Sequence, residues 1–277
     1  MTAHDMPEHV YRAMDAVNWS TLKHLRDSPL HYQHALTGAD KDTTERAKGR
    51  AIHALVFEPA VFERDFAIYE DGDRRGKVWE AFKAAHPTQT ILKVNEIEAV
   101  AAAANAVRTH PLVAPYLIGG TFEQVITWTD PATGLACKAR PDHLHSPTRT
   151  LLDLKSSTTI DPYRFGRIAA RLGYHAQLAM YRAAVTLGLG WEPAETLIVA
   201  VESEAPYDVG VFVLDEDTLY AGAEEIATLL ARLKQCRDTG AWPGRYTEKA
   251  ALLLPAYVYG DEDDADATAG LTFKDKE

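Results

Sequence analysis

The 277-residue sequence predicts an α/β fold built on a central mixed sheet of about five strands flanked by helices. Three observations carry that expectation. The apolar pattern has a helical period as far as Thr109, switches to a period of two from Thr121, and returns to a helical period between Pro162 and Leu187. Turn-forming strings, DPATG and SPTR, punctuate the alternating region. Finally, 46% hydrophobic residues can fill one sizeable core, and neither an internal repeat nor a long linker divides the chain.

Taken in order, Asn18-Trp19-Ser20 precedes two short helices broken at Ser28-Pro29, because the residue before proline is driven out of helical geometry. Thr43-Thr44-Glu45 opens a longer helix through Ile52, Leu55, Val56 and Phe57, which Pro59 stops. An alanine-rich helix covers Val94 to Thr109 and ends at His110-Pro111. FEQVITWTD, LACKARPDHLH and TLLDLKS read as three strands. After the helices from Pro162 to Leu187, TLIVAVES and VGVFVLD form a second hairpin, followed by a helix through Leu233. The domain expectation is a flexible stretch over 1–17, one domain over 18–258, and an acidic, disordered tail over 259–277.

The formal net charge is −11, which at first argues against a nucleic-acid partner, since such domains carry a basic footprint. The segment after Gly260 holds seven acidic and two basic residues, so it accounts for much of the imbalance. Binding then depends on where the basic residues of the body cluster. Cys137 and Cys236 lie too far apart in sequence to suggest a disulfide framework or a thiolate metal site. The opening MTAHDMPEHV lacks the basic and apolar regions of a signal peptide, and no apolar run has the length of a membrane span. A soluble, cytoplasmic protein is expected.

The chemistry concentrates in the hairpin of LACKARPDHLH and TLLDLKS. With its turn centred on Pro147-Thr148, facing residues have numbers summing to 295, which sets Asp142 opposite Asp153. Like charges so placed are destabilising and call for solvation or a cation. Asp153 stands in an apolar context, Leu151-Leu152-Asp153-Leu154, where solvation is hard to obtain. Lys155 shares its strand face with Asp153. Two carboxylates and an ammonium suit metal-assisted phosphodiester hydrolysis with Mg²⁺, a hard cation that prefers oxygen ligands, while Lys155 offsets developing negative charge. A merely salt-bridged hairpin fits the strand pattern equally well.

Arg140-Pro141-Asp142, ten residues, then Asp153-Leu154-Lys155 resembles the signature of the PD-(D/E)XK nuclease superfamily. Gly49-Arg50-Ala51-Ile52-His53 resembles the helical histidine motif of its RecB-like and exonuclease-VIII-like (RecE-type) branches. Tyr174-His175-Ala176-Gln177 with Tyr181 resembles their Gln-x-x-x-Tyr motif. Ser20-Thr21-Leu22-Lys23-His24-Leu25 with Ser28-Pro29, and Trp242-Pro243-Gly244, are also similar to RecE-type sequences. This resemblance implies a restriction-endonuclease-like core. It also implies a metal-dependent exonuclease of phage or prophage type that resects linear duplex DNA to leave 3′ single-stranded tails for recombination. Mg²⁺ is the implied cofactor, with Mn²⁺ as a substitute, and the implied partners are DNA ends, a homo-oligomeric ring and a single-strand annealing protein.

Within that frame Asp142, Asp153, Lys155, Gln177 and Tyr181 are the candidate catalytic residues, and His53, Asp142 and Asp153 the candidate metal ligands. A lone histidine on an apolar helix face is ordinarily a core residue; the motif set turns His53 into a ligand candidate. Gln177 and Tyr181, at i and i+4, share a helix face, where Tyr181 could equally pack in the core. Arg164, Arg167 and Arg171 form a basic stripe suited to phosphates, or simply a solvated face. Glu123, alternating with Val125 and Thr127, is a minor candidate for a further carboxylate; Glu58 is assigned no role. A cluster-bearing nuclease of the same superfamily needs four cysteines, and this chain has two. A catalytically idle nuclease-fold module that binds DNA or protein is the alternative, though such a site has no need to keep like charges opposed.

Overall fold

The computed structural model describes residues 6, 8–38, 43–70 and 72–254. The acidic segment 259–277 lies outside them. Helix α1 spans Glu8–Ala13, α2 Trp19–Leu22 and α3 Pro29–Leu36, with a 3₁₀ turn over Lys23–Arg26 between the last two. Ser28 caps α3, its hydroxyl accepting from the His31 amide at 3.3 Å. Helix α4 runs over Thr44–Phe57, and Thr43 Oγ1 caps it by accepting from the Arg46 amide at 3.2 Å. Helix α5 (Pro59–Asp65), strand β1 (Phe66–Tyr69), α6 (Gly76–Ala85) and β2 (Thr90–Lys93) follow, then α7 over Val94–Thr109.

Strands β3 (Thr121–Phe122), β4 (Ile126–Thr129), β5 (Ala136–Ala139), β6 (His143–His145) and β7 (Thr150–Ser157) make up the alternating region. Helices α8 (Pro162–Leu172) and α9 (Tyr174–Ala184) cross to β8 (Glu195–Glu202); β9 (Val209–Val213) and α10 (Glu216–Thr239) complete the described elements. The five-stranded sheet has the order β3-β6-β7-β8-β9, with β7 and β8 parallel and the other pairs antiparallel. A parallel pair needs a crossover, which α8 and α9 supply. The hairpin β4–β5 and the parallel pair β1–β2 are separate two-stranded sheets.

Apolar residues on both faces of β7 and β8 explain why helices cover both. Leu152, Leu154, Leu197, Val199 and Val201 face a core shared with α4 and α7. Leu151, Ile198 and Ala200 face another shared with α8 and α9 through Phe165 and Leu178. Asp153 and Lys155 alternate in phase with Leu151, and Asp153 is completely buried.

The structure corrects four sequence expectations. LACKARPDHLH is not one strand: β5 and β6 belong to different sheets, and Arg140-Pro141 separates them because proline brings no amide hydrogen to a ladder. The β6–β7 register nonetheless follows the predicted sum, pairing His143 with Leu152 and Leu144 with Leu151. FEQVITWTD is likewise split into β3 and β4, where Glu123 adopts a left-handed backbone with φ of 48°. Residues 8–17 are not a flexible lead-in. They form α1 and a segment in which Val17 bridges Cys137, because burying Val17 and Tyr11 supplies the contacts that disorder would lack. The last helix continues past Leu233 to Thr239, ending at Gly240 in left-handed geometry.

The corner between α8 and α9 sets how α9 lies over the sheet, and it depends on Gly173. Its φ is 73°, and an added Cβ would meet Trp19 Cζ2 at 2.5 Å and Arg26 Nη1 at 2.7 Å. Gly173→Ala is expected to cost about 1–3 kcal/mol, from positive-φ strain together with that crowding. Thermal melting followed by circular dichroism should fall by several degrees. An unchanged melting temperature would mean that the corner is not held as described.

Candidate active site

Three carboxylates line up across adjoining chain segments. Asp142 immediately precedes β6, and continuing the β6–β7 register places it opposite Asp153. On its other side the Glu123 amide donates to the Asp142 carbonyl at 3.1 Å, extending the β3–β6 pairing by one residue. Asp142 Oδ2 accepts from the Leu154 amide at 2.7 Å, which fixes its carboxylate against β7. The left-handed turn at Glu123 redirects the chain from β3 toward β4 just where its carboxylate meets the row.

His53 reaches this row from the third turn of α4. Gly49, one turn earlier, sits close enough to β7 that a Cβ there would lie 3.4 Å from Ser156 Oγ. The His53 ring nitrogen Nε2 is 2.8 Å from the Leu154 carbonyl, an acceptor, so in the neutral ring Nε2 carries the hydrogen. Nδ1 is then left 3.6 Å from Asp142 Oδ2, two electron-rich atoms with room between them for a cation or a proton. Ligand atoms of His53, Glu123 and Asp142 all lie within 4.8 Å of one another.

Asp153 stands differently. Lys155 Nζ lies 2.5 Å from its Oδ2. Apart from that ion contact, neither oxygen of this wholly buried carboxylate has a hydrogen-bond partner. Burial, and after it the neighbouring Asp142, push its carboxyl up to about 6 against the opposing pull of Lys155. Burial alone would lower the Lys155 ammonium, but the Asp153 and Asp142 carboxylates outweigh it and raise it above its ordinary value. The ammonium also sits 4.7 Å from the ring centroid of Tyr174, so a carboxylate and an aromatic face confine it.

Gln177 Nε2 donates to the Tyr181 hydroxyl at 2.9 Å, so this pair shares the face of α9 that looks onto β7. Burial first, then the Asp153 and Asp142 charges, raise the Tyr181 phenol well above its ordinary value, so it stays a neutral donor beside the carboxylates. Arg164, Arg167 and Arg171 are exposed along α8, opposite the buried Phe165. Arg171 is close enough to Tyr174 to act on its phenol, which ties one end of the stripe to the site.

The structure therefore brings His53, Glu123, Asp142, Asp153, Lys155, Gln177 and Tyr181 to one place. Sequence reasoning missed Arg140, whose Nε is 2.9 Å from Glu123 Oε2, and Tyr174, whose ring covers Lys155. Both stand inside strings already singled out, Arg140-Pro141-Asp142 and Tyr174-His175-Ala176-Gln177, so proximity to the motif was the available signal. Oxygen donors with one imidazole, beside a buried carboxylate whose one partner is Lys155, fit a hard divalent cation. Neither Cys137 nor Cys236 belongs to the cluster.

A five-stranded mixed sheet between helices, carrying Asp and Asp-x-Lys on adjoining segments, defines the PD-(D/E)XK nuclease superfamily fold. Within it, the chain belongs to the family described as "PDDEXK-like domain of unknown function (DUF3799)", whose model matches residues 18–254. Among solved structures, the chain is similar to a candidate exonuclease from Eubacterium rectale. The two share 14% identity at a TM-score of 0.62, over 97% of this chain and 100% of the other. At that identity the likeness concerns the fold. A phage-related exonuclease from Haemophilus somnus 129PT aligns over 82% of this chain and 96% of the other, with 12% identity and a TM-score of 0.37. No curated protein matches the chain.

The raised Asp153 carboxyl has a consequence for stability. The folded state keeps this proton up to about pH 6, whereas the unfolded chain releases it near the ordinary value of 3.8. Ionising Asp153 therefore costs stability that is fully felt above pH 6 and vanishes as pH falls below the unfolded value. In EDTA, the melting temperature of the wild type relative to Asp153→Asn should rise as pH is lowered from 8 to 4.5. A difference that stays constant across that range would contradict the buried, proton-sharing position of Asp153.

Proposed function

We propose that the protein is a divalent-metal-dependent DNA nuclease that degrades linear duplex DNA from its ends, leaving 3′ single-stranded tails. The observation that carries the reading is Asp153, a wholly buried carboxylate whose one partner is the Lys155 ammonium and which stands opposite the like charge of Asp142. Burying a carboxylate costs several kcal/mol, and the Lys155 pair offsets this only in part while Asp142 stands opposite, so stability alone gives the fold no reason to keep the arrangement. Membership of the PDDEXK-like family supports phosphodiester hydrolysis. The exonuclease description of the structurally similar Eubacterium rectale protein accords with action at ends.

Asp142, Asp153, His53 and Glu123 are the residues that would hold Mg²⁺ or Mn²⁺. A bound cation supplies Lewis-acid polarisation of the phosphate and lowers the pKa of an attacking water. Lys155, pinned between Asp153 and Tyr174, keeps a positive charge where the phosphoryl oxygens gain negative charge. Tyr181, held neutral and oriented by Gln177, offers a hydroxyl to the same region. Arg164, Arg167 and Arg171 would guide the backbone along α8 toward the site and offset the acidity of the chain locally. Cytoplasmic action, which rests on the composition of the chain, and assembly into a ring around DNA and work beside a single-strand annealing protein, which rest on the RecE-type resemblance, complete the proposal. No helix among the described residues is long and apolar enough to cross a membrane.

Linear duplex DNA should be degraded with Mg²⁺ or Mn²⁺, and covalently closed circles should resist. Cleavage undiminished in excess EDTA would sink the metal mechanism, and rapid loss of relaxed closed circles would sink action from ends.

Chemistry and positioning separate in single-turnover rates on one labelled linear duplex. Asp153→Ala should abolish turnover at any DNA concentration, and Lys155→Ala should act mainly on turnover. Gln177→Ala removes a neutral contact worth about 1–2 kcal/mol, so a loss of roughly 5- to 30-fold is expected, with activity remaining. Should Asp153→Ala retain more activity than Gln177→Ala, the chemistry lies elsewhere in the molecule.

A further inference from the structure

The family match begins at residue 18, yet the chain before it is fastened to the back of the site. Val17 donates to the Ala136 carbonyl and accepts from the Lys138 amide, both at 2.8 Å. The Lys138 ammonium, in a residue only 4% exposed, points into the C-terminal end of α1. It donates to the Tyr11 carbonyl at 2.6 Å and the Met14 carbonyl at 2.9 Å, with the Arg12 carbonyl at 3.4 Å. A cation at a helix C-terminus is favoured both by the free carbonyls and by the helix dipole.

This fastening places the Tyr11 ring against two cations from one face of the β5 segment. Lys138 Nζ is 4.8 Å from the ring centroid and Arg140 Cζ is 4.9 Å from it. Arg140 in turn reaches Glu123 Oε2 through Nε at 2.9 Å, and Glu123 belongs to the cluster with His53 and Asp142. Glu123 also occupies a left-handed backbone, costly for a residue with a side chain, so its orientation depends on what surrounds it. Tyr11 is near enough to Tyr181 for its phenol to act on that group as well.

We infer that the N-terminal strap is a working part of the metal site, with Tyr11 as a positioning residue that holds the Arg140 guanidinium where it aims Glu123 at the cation. A guanidinium on a flexible stem gains a fixed plane by stacking on an aromatic face. Tyr11 does so from outside the motifs, through contacts that Lys138 secures. The inference rests on the metal-dependent reading above, and deepens it by giving the site a fourth wall.

The test measures Mn²⁺ binding to the full chain by isothermal titration calorimetry without DNA, with circular dichroism confirming the fold. Tyr11→Phe keeps the ring and should bind Mn²⁺ within about twofold of the wild type. Tyr11→Leu loses the aromatic face and should weaken binding about 3- to 10-fold, the range of a partly desolvated cation–π contact. Arg140→Lys, which leaves the strap intact, should weaken binding comparably. Because both residues act through one contact, the double variant should bind no worse than the weaker single variant. Mn²⁺ affinity unchanged in Tyr11→Leu, or losses that multiply in the double variant, would overturn the inference. If Tyr11→Leu does not fold, unchanged affinity in Arg140→Lys overturns it alone. A wild type that binds no Mn²⁺ removes the metal reading and this inference together. Failure to cut DNA while Tyr11→Leu still weakens Mn²⁺ removes only the nuclease reading.

Discussion

Strand β7 is buried on both faces, and in its middle lies a carboxylate whose one partner is the ammonium two residues along the same strand. Most of what surrounds the site answers to that constraint. Asp153 cannot be solvated there, and the Asp142 carboxylate opposite makes its ionisation harder still. Lys155 and the Arg140 guanidinium on Glu123 offset part of the cost, but two cations do not balance Asp142, Asp153 and Glu123 together. The remaining negative charge is what a divalent cation would neutralise. Ligand atoms of His53, Glu123 and Asp142 converge within 4.8 Å of one another beside Asp153, where such an ion would meet oxygen donors.

The scaffold holds those donors by backbone means as much as by side chains. Asp142 is anchored on the Leu154 amide and His53 on the Leu154 carbonyl, so one residue of β7 fixes two groups from different elements. Pro141 ends one strand and frees Asp142 to begin the approach to the next. The left-handed Glu123 turns a strand edge toward the same point. Helix α9 closes the other side with Tyr174 over Lys155 and Gln177 on Tyr181, its angle set by the Gly173 corner. Deformable positions, a proline break, a positive-φ glutamate and a glycine corner, thus sit around a rigid buried strand, as pre-organised sites require.

The pairing of Asp142 with Asp153 was legible because the SPTR turn sets the hairpin register, and register decides which side chains meet. Helices α4 and α7 were legible from their period and from the Thr43 cap and the His110 stop. The splitting of both long strands was not. Alternation continues smoothly through Glu123 and across Arg140-Pro141, and only tertiary pairing reveals that β4–β5 leaves the main sheet. Glu123 was noticed for the wrong reason: it reaches the cluster by a kink, and not by strand alternation. The unit β1–α6–β2 carries short strands between helices, a pattern too brief to mark itself in sequence. The docking of residues 8–17 depends on Lys138 and Cys137, more than a hundred positions away, and no local pattern announces contacts of that kind.

On the function proposed above, the charge of Asp153 is held in place for a cation to neutralise. Metal binding should then displace the proton that burial retains. Calorimetric titration of the wild type with Mn²⁺ at pH 6, repeated in buffers of different ionisation enthalpy, reports how many protons leave per ion bound. Net proton release by the wild type is expected at pH 6, diminishing at pH 8 and smaller in Asp153→Asn at pH 6. Equal proton release in the wild type and Asp153→Asn at pH 6 would contradict it.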